Sequence, residues 1–100
     1  MRAKEKLKTK ILKVVSQGDV NYVPSEKQEG GQLAMSVIRL RELGGQKIAD
    51  EFVCAMFGNL ALCRFYENEI VAATLRFHAH ETGGNVFQNV TAMDIVKLKS

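Results

Sequence analysis

The stretch Asp50 to Asn68, DEFVCAMFGNLALCRFYEN, decides how this chain folds. Phe52, Cys54 and Met56 alternate with Val53, Ala55 and Phe57, the period-two pattern of a strand buried on at least one face. Gly58 ends the run. Asn59 is placed to act as an N-cap. Leu60, Ala61, Leu62, Cys63 and Phe65 then favour one or two helical turns before the polar stop at Glu67, Asn68 and Glu69. The chain therefore passes from a strand through glycine into a short helix near its middle. Strand-like runs on both sides suit a small barrel whose open end is plugged by that helix.

Upstream, Gln32 to Leu43 reads as a strand. Leu33, Met35 and Val37 alternate with Ala34, Ser36 and Ile38, and Arg39 and Arg41 fall on the side of Leu33. Apolar residues giving way to arginines on one face imply a strand that leaves the core, bends at a bulge or carries its arginines past a rim. Each of these puts Arg39 and Arg41 side by side at a surface. Gly44 and Gly45 make the turn into the next strand. Gln17 to Gly31 reads as a long loop, with Gly18, Asp19, Asn21, Pro24, Ser25, Gly30 and Gly31 supplying turn chemistry. Its Tyr22 either stacks on a base or, beside Val20 and Val23, folds back on the body, which is the more ordinary fate of such a residue. Lys4 to Ser16 is the first strand: Lys4, Lys6, Lys8 and Lys10 share one face, and Leu7, Thr9, Ile11 and Val15 share the other. A helix is the rival reading, but it scatters the lysines around its circumference.

Downstream, Glu69 to His80 alternates cleanly. Val71, Ala73, Leu75, Phe77 and Ala79 form one apolar face; Thr74, Arg76, His78 and His80 lie opposite, with Ile70 and Ala72 beginning that second face. The turn ETGGN leads into a last strand, Val86 to Lys97. The chain is thus all-β, with five strands, one short helix between the third and fourth, and glycine-marked turns. That description is the OB-fold, a five-stranded Greek-key barrel offering a sheet face and two loops to oligomeric ligands.

Composition agrees with a single domain over 1–100, with a basic N-terminal arm at 1–6. At 100 residues, 46% hydrophobic and 25% charged, the chain has enough apolar material for a core without disulfide staples. No apolar run approaches a membrane span, and the basic N-terminus leads into alternation instead of a signal-peptide core, so a cytoplasmic protein is expected. Cys54 and Cys63 sit among apolar neighbours without CxxC spacing and are expected to be buried free thiols. The net charge of +3 is uneven: Met1 to Lys13 carries about +5 and the remainder about −2. Such a patch is an electrostatic footprint for phosphate, or else a strand edge protected from aggregation by lysines.

Three short runs, taken in order, carry a family resemblance: Val20-Asn21-Tyr22-Val23-Pro24, then Gly30-Gly31-Gln32-Leu33-Ala34, then Phe57-Gly58-Asn59-Leu60-Ala61. The chain resembles the single-stranded-DNA-binding proteins of bacterial replication (SSB), which have a tyrosine and proline before a Gly-Gly turn and an FG-K-LA motif entering the helix. The resemblance implies that Phe57 stacks on a base and that Phe87 occupies a commonly aromatic position at the start of the fifth strand. It also puts His78 and His80 near a basic pair on the fourth strand. The chain departs from the pattern in having no tryptophan, with Glu51 standing about where the family has a stacking one. It ends at Ser100, directly after the fifth strand, so the family's flexible tail and partner-recruiting acidic tip are expected to be missing.

The residues make a physical case beside the resemblance. A sequence-tolerant binder of single strands needs cations to track phosphates and aromatic faces for bases, each stacked base contributing on the order of 1 to 3 kcal/mol. Lys8, Lys10, Lys13, Arg39, Arg41, Arg76, His78 and His80 are the candidate cations, and Phe57, Phe87 and Tyr22 the candidate platforms, because strand parity assigns Phe52 and Phe77 to the core. Phe57 alternatively packs under the helix, and the arginines alternatively pair with Glu42, Glu67 or Glu69. Protonation of the histidines is expected to strengthen binding mildly on acidification. His78-x-His80 lacks paired ligand spacing with the cysteines, so no metal and no cofactor is expected. No nucleophile stands with a base, so no enzyme and no small-molecule substrate is expected. Two functions remain: single-strand DNA or RNA binding in replication, recombination or repair, and an OB module that assembles with proteins. Open strand edges and exterior residues such as Ile70 and Ala72 point to a homodimer or homotetramer.

Overall fold

The structure, a computed structural model, describes residues 4–26, 29–43 and 50–99, with backbone alone for residues 4, 5, 29, 80–82 and 86–88. It is mostly β. Among the described residues there are six strands: β1 Lys4–Gln17, β2 Asn21–Pro24, β3 Gln32–Glu42, β4 Glu51–Phe57, β5 Ile70–Thr82 and β6 Asn85–Lys99. A 3-10 turn, Glu29–Gly31, precedes β3, and the four-residue helix α1, Asn59–Leu62, follows β4. Among the described residues no helix is long and apolar enough to cross a membrane.

The strands form one sheet in the order β1-β5-β6-β4-β3-β2, and an additional β1–β3 pairing closes it on itself. β1 does this by serving two partners. Its residues Lys4 to Lys13 pair antiparallel with β5, and Leu12 to Gln17 pair antiparallel with β3. A bulge between Val14 and Ser16 bends the strand at the hand-over. The bulge is in β1, whereas the arginine-bearing strand β3, for which a bulge is one of three readings of the sequence, pairs with β2 and β4 without a register shift. β5 and β6 make a long hairpin whose turn, Gly83-Gly84, has both φ angles positive (60° and 83°), the backbone that a two-residue turn matching the strand twist requires.

Inside the closed sheet lie Leu12, Val14, Ile38, Leu40, Cys54, Met56, Val71, Ala73 and Leu75, all fully buried. Burying a side chain of the Leu or Ile type contributes about 1.5–3 kcal/mol each. One end is covered by Ala61 of α1 and by Phe65. Ser36, the fully buried hydroxyl of β3, donates to the Ala61 carbonyl at 3.0 Å and ties the helix to the sheet. Gln17 fixes the chain beyond α1 by donating to the Cys63 carbonyl at 2.8 Å and accepting from the Phe65 amide at 2.8 Å. At the other end the inner faces of β1 and β3 turn charged together. Lys10 follows the side of Leu12 and Val14, Glu42 follows the side of Leu40, and the two pair at 3.4 Å. The Lys10 ammonium also lies 5.5 Å from the centre of the Phe52 ring, which packs edge-on against Phe77.

Five expectations change. The segment expected to be a loop from Gln17 to Gly31 contains β2, whose edge pairing with β3 runs from Asn21↔Met35 to Pro24↔Gln32. The buried face of β1 is that of Leu12 and Val14, which continues the lysine row, whereas Leu7 and Ile11 are 65% and 49% exposed. Asn59 does not cap α1: Gly58 holds the capping position at φ 66°, and no side-chain cap bond forms. Cys63 is exposed, while Cys54 is buried as expected. Tyr22 does not fold back; it is 61% exposed. Gly44 and Gly45, and the first three residues of the basic arm, lie outside the described residues.

Candidate nucleic-acid interface

Parity sorts the candidate residues onto two sides of the sheet. On β3, Ala34, Ser36, Ile38 and Leu40 point inward, so Met35, Val37, Arg39 and Arg41 point outward. On β4, Cys54 and Met56 are buried, so Val53, Ala55 and Phe57 point outward. The registers Met35↔Phe57, Val37↔Ala55, Arg39↔Val53 and Arg41↔Glu51 make one outer surface that runs from apolar to charged. The arginine parity that looked awkward in the sequence is explained: Leu33, Met35 and Val37 belong to the outer face, not to the core.

Phe57 is 41% exposed on that surface and does not pack under the helix. Beside it the parallel partnership of β4 with β6 is, among the described residues, the single register pair Ala55↔Thr91. There the surface opens into a groove of about 420 Å³ lined by Val37, Val53, Ala55, Phe57, Asn89 and Thr91 among others. The next strand beyond β6 supplies a guanidinium and an imidazole. Arg76 is the register partner of Thr91 and His78 that of Asn89, so both stand on the outer face along the far side of the groove. On the near side Arg39 flanks Val53. The two cationic rims are three strand spacings apart, about 14 Å.

Arg39 is not idle: it is ion-paired with Glu51, its diagonal neighbour on β4. Two of the partners expected for the arginines are engaged elsewhere, Glu42 by Lys10 and the buried Glu69 by Lys97 at 3.5 Å. Lys13 extends the outer surface, because it faces outward as the register partner of Arg41. Lys8 and Lys10 do not join it. They are register partners of the inward Leu75 and Ala73, on the other side of β1. Tyr22 is the partner of the inward Ala34 and so also stands away from the groove. His80 and Phe87 are register partners nearer the hairpin turn, and their side chains lie outside the described set.

The structure thus brings together Arg39, Arg41, Lys13, Phe57, Arg76 and His78, and adds Asn89 and Thr91, which the sequence reading did not single out. Their signal was weak. NVT within an apolar run marks only alternation, and their place beside Phe57 comes from the pairing of β6 with β4. Among the described residues no group of three His, Cys, Asp or Glu side chains is arranged to hold a metal ion. The sequence matches no protein-family model, and no curated protein is significantly similar to it.

Proposed function

We propose that the chain is an OB-fold barrel that binds single-stranded nucleic acid, largely without regard to sequence, as a cytoplasmic binding protein of replication, recombination or repair. The closed cycle β1-β3-β4-β6-β5 supports the fold, with β2 as an added edge strand in the first connection. In an OB-fold the ligand takes the outer face of the second and third strands and the loops after the first and fourth. Here those are β3, β4, the β1–β3 connection and the β5–β6 hairpin. The observation that carries the reading is Phe57: an exposed ring on this face, at a groove with Arg39 on one side and Arg76 and His78 on the other. Aromatic platforms set between cations are what a single strand needs, and a duplex, with its bases stacked inside, cannot use the ring.

The test is fluorescence anisotropy of a labelled oligo-dT of about 30 nucleotides at two salt concentrations, with duplex of equal length as control. The expected outcome is preferential single-strand binding that weakens with salt. Phe57→Ala is expected to reduce the affinity on the order of tenfold, with a smaller loss of stability than truncating a core residue because the ring is 41% exposed. Equal binding of duplex, or an unchanged affinity for Phe57→Ala, removes the reading.

A second surface favours self-assembly. On the outer side of β1, β5 and β6, Ile11, Ala72 and Val96 stand in one register row, with Leu7 and Leu98 also exposed. A contiguous apolar row of this kind is costly to leave in water, and we assign it to a second copy of the chain, in a homodimer or a homotetramer built from C2 pairs. Light scattering reads this directly: the mass of one chain at micromolar concentration sinks it. Should the protein assemble but bind no nucleic acid, the alternative of a protein-assembly OB module takes over.

A further inference from the structure

We propose that the groove between β4 and β6 seats a single unstacked base of the bound strand, and that Asn89 and Thr91 read its edge, making binding base-selective at this one position. The inference rests on the single-strand reading above and adds to it a residue-level source of preference.

The groove is neutral where its rims are charged. Val37, Val53, Ala55 and Phe57 form its apolar walls, and its polar side chains are the exposed Asn89 amide and the half-buried Thr91 hydroxyl. Arg39 flanks it across β4, and Arg76 stands beside Thr91 on β5. A neutral floor between two cationic rims complements a flat, neutral centre carried between two anionic groups. A strand laid across the sheet has that form: the base projects sideways from its sugar, and phosphates further along the backbone on each side run out toward the rims. An acidic peptide does not, since its charges would fall against the apolar walls. The volume, about 420 Å³, lies within the range of small-ligand sites.

The two kinds of contact then do different work. An aromatic ring is tolerant of sequence because every base has a π-face. A primary amide presents one acceptor and two donors in a plane, and a hydroxyl adds one of each; these match only a base edge that offers the complementary groups at that place. Phe57 and the arginines therefore supply affinity, and Asn89 supplies preference.

Anisotropy titrations of oligo-dT, oligo-dC and oligo-dA of equal length, at one salt concentration, test this with the unsubstituted protein, Asn89→Ala and Thr91→Val. The unsubstituted protein is expected to separate the best and worst homopolymers on the order of tenfold. Asn89→Ala is expected to compress that ratio to about twofold with the salt dependence unchanged, because no phosphate contact is altered, and Thr91→Val to compress it less. Equal affinities for the three oligomers, or an Asn89→Ala chain that keeps the full ratio, overturn the base seat and leave single-strand binding standing. Failure of the unsubstituted protein to bind any of the three at low salt overturns the single-strand reading itself, and the seat with it.

Discussion

On β1 and on β3 the same sequence device, cations at alternate positions, ends on opposite sides of one sheet. Lys6, Lys8 and Lys10 share parity with Leu12 and Val14, so their row is the inner face of β1 running off the end of the core. Arg39 and Arg41 interleave with Ile38 and Leu40, so they stand outside a strand whose other face is still buried. The offset of one residue between a charged row and its nearest core residue makes this difference, because side chains alternate with a period of two. The two rows therefore end in different places: Arg39 flanks the groove at Val53, whereas the last lysine closes the inner mouth with Glu42 and lies over Phe52.

The largest effect comes from moving the boundary of the lysine row. Leu12→Lys continues the row by one step, into a position with no exposure. It places an unpaired ammonium among apolar side chains, at an expected cost of about 4 kcal/mol or more, and cooperative thermal unfolding should be lost. Val37→Lys continues the arginine row by the same step on the outer face and should shift Tm by only about 2 °C. Circular dichroism melts of the two variants decide it. Equal melting of both breaks the inner and outer assignment.

The same division separates the two thiols. Cys54 is on the inner face of β4, and burial pushes its thiol up to about 11 from an ordinary 9.0. Between those values the folded chain keeps a proton that the unfolded chain releases. Stability from this source is therefore complete below about pH 9 and falls as pH rises through about 11, by about 2–3 kcal/mol in all. Urea midpoints measured across that interval should decline more steeply for the unsubstituted chain than for Cys54→Ala. In the native protein a thiol reagent should label Cys63, which is exposed, and reach Cys54 only on unfolding.

Where alternation spans most of a strand, the sequence reveals the structure. β5 shows this best: Val71, Ala73 and Leu75 are buried and Thr74, Arg76 and His78 lie on the other face, as their spacing implies. The glycines of the β5–β6 turn were equally legible, because positive φ at two successive residues selects them. β2 was not legible. Asn21 to Pro24 is only four residues among turn formers, and its extended form depends on an edge of β3 that local preference does not report. The lysine side of β1 misled for a related reason, since apolar residues at Leu7, Ile11 and Val15 outnumber Leu12 and Val14 until the bulge between Val14 and Ser16 is known. Most of the candidate site, Lys13, Arg39, Arg41, Phe57, Arg76 and His78, was visible in the sequence. Asn89 and Thr91 were not, because a parallel contact between β4 and β6 brings them there.

The smallest expected effect tests whether the two charged regions differ in what they do. Glu51 holds Arg39 in an ion pair on the outer face, and Glu42 holds Lys10 in one on the inner face. Both pairs are partly exposed, so neither adds more than about 1 kcal/mol to stability, and Gln at either position should fold normally. Their effects on binding should diverge. A phosphate at Arg39 must compete with the Glu51 carboxylate, so Glu51→Gln is expected to tighten single-strand binding about threefold at low salt and to steepen its salt dependence by releasing one more cation to the strand. Glu42→Gln frees a lysine that lies over Phe52 at the inner mouth, away from Phe57, and is expected to leave the affinity unchanged. Parallel anisotropy titrations compare the two directly. Equal tightening by both variants would mean that the strand is held by diffuse positive charge, and that the outer arginines have no privilege over the inner lysines.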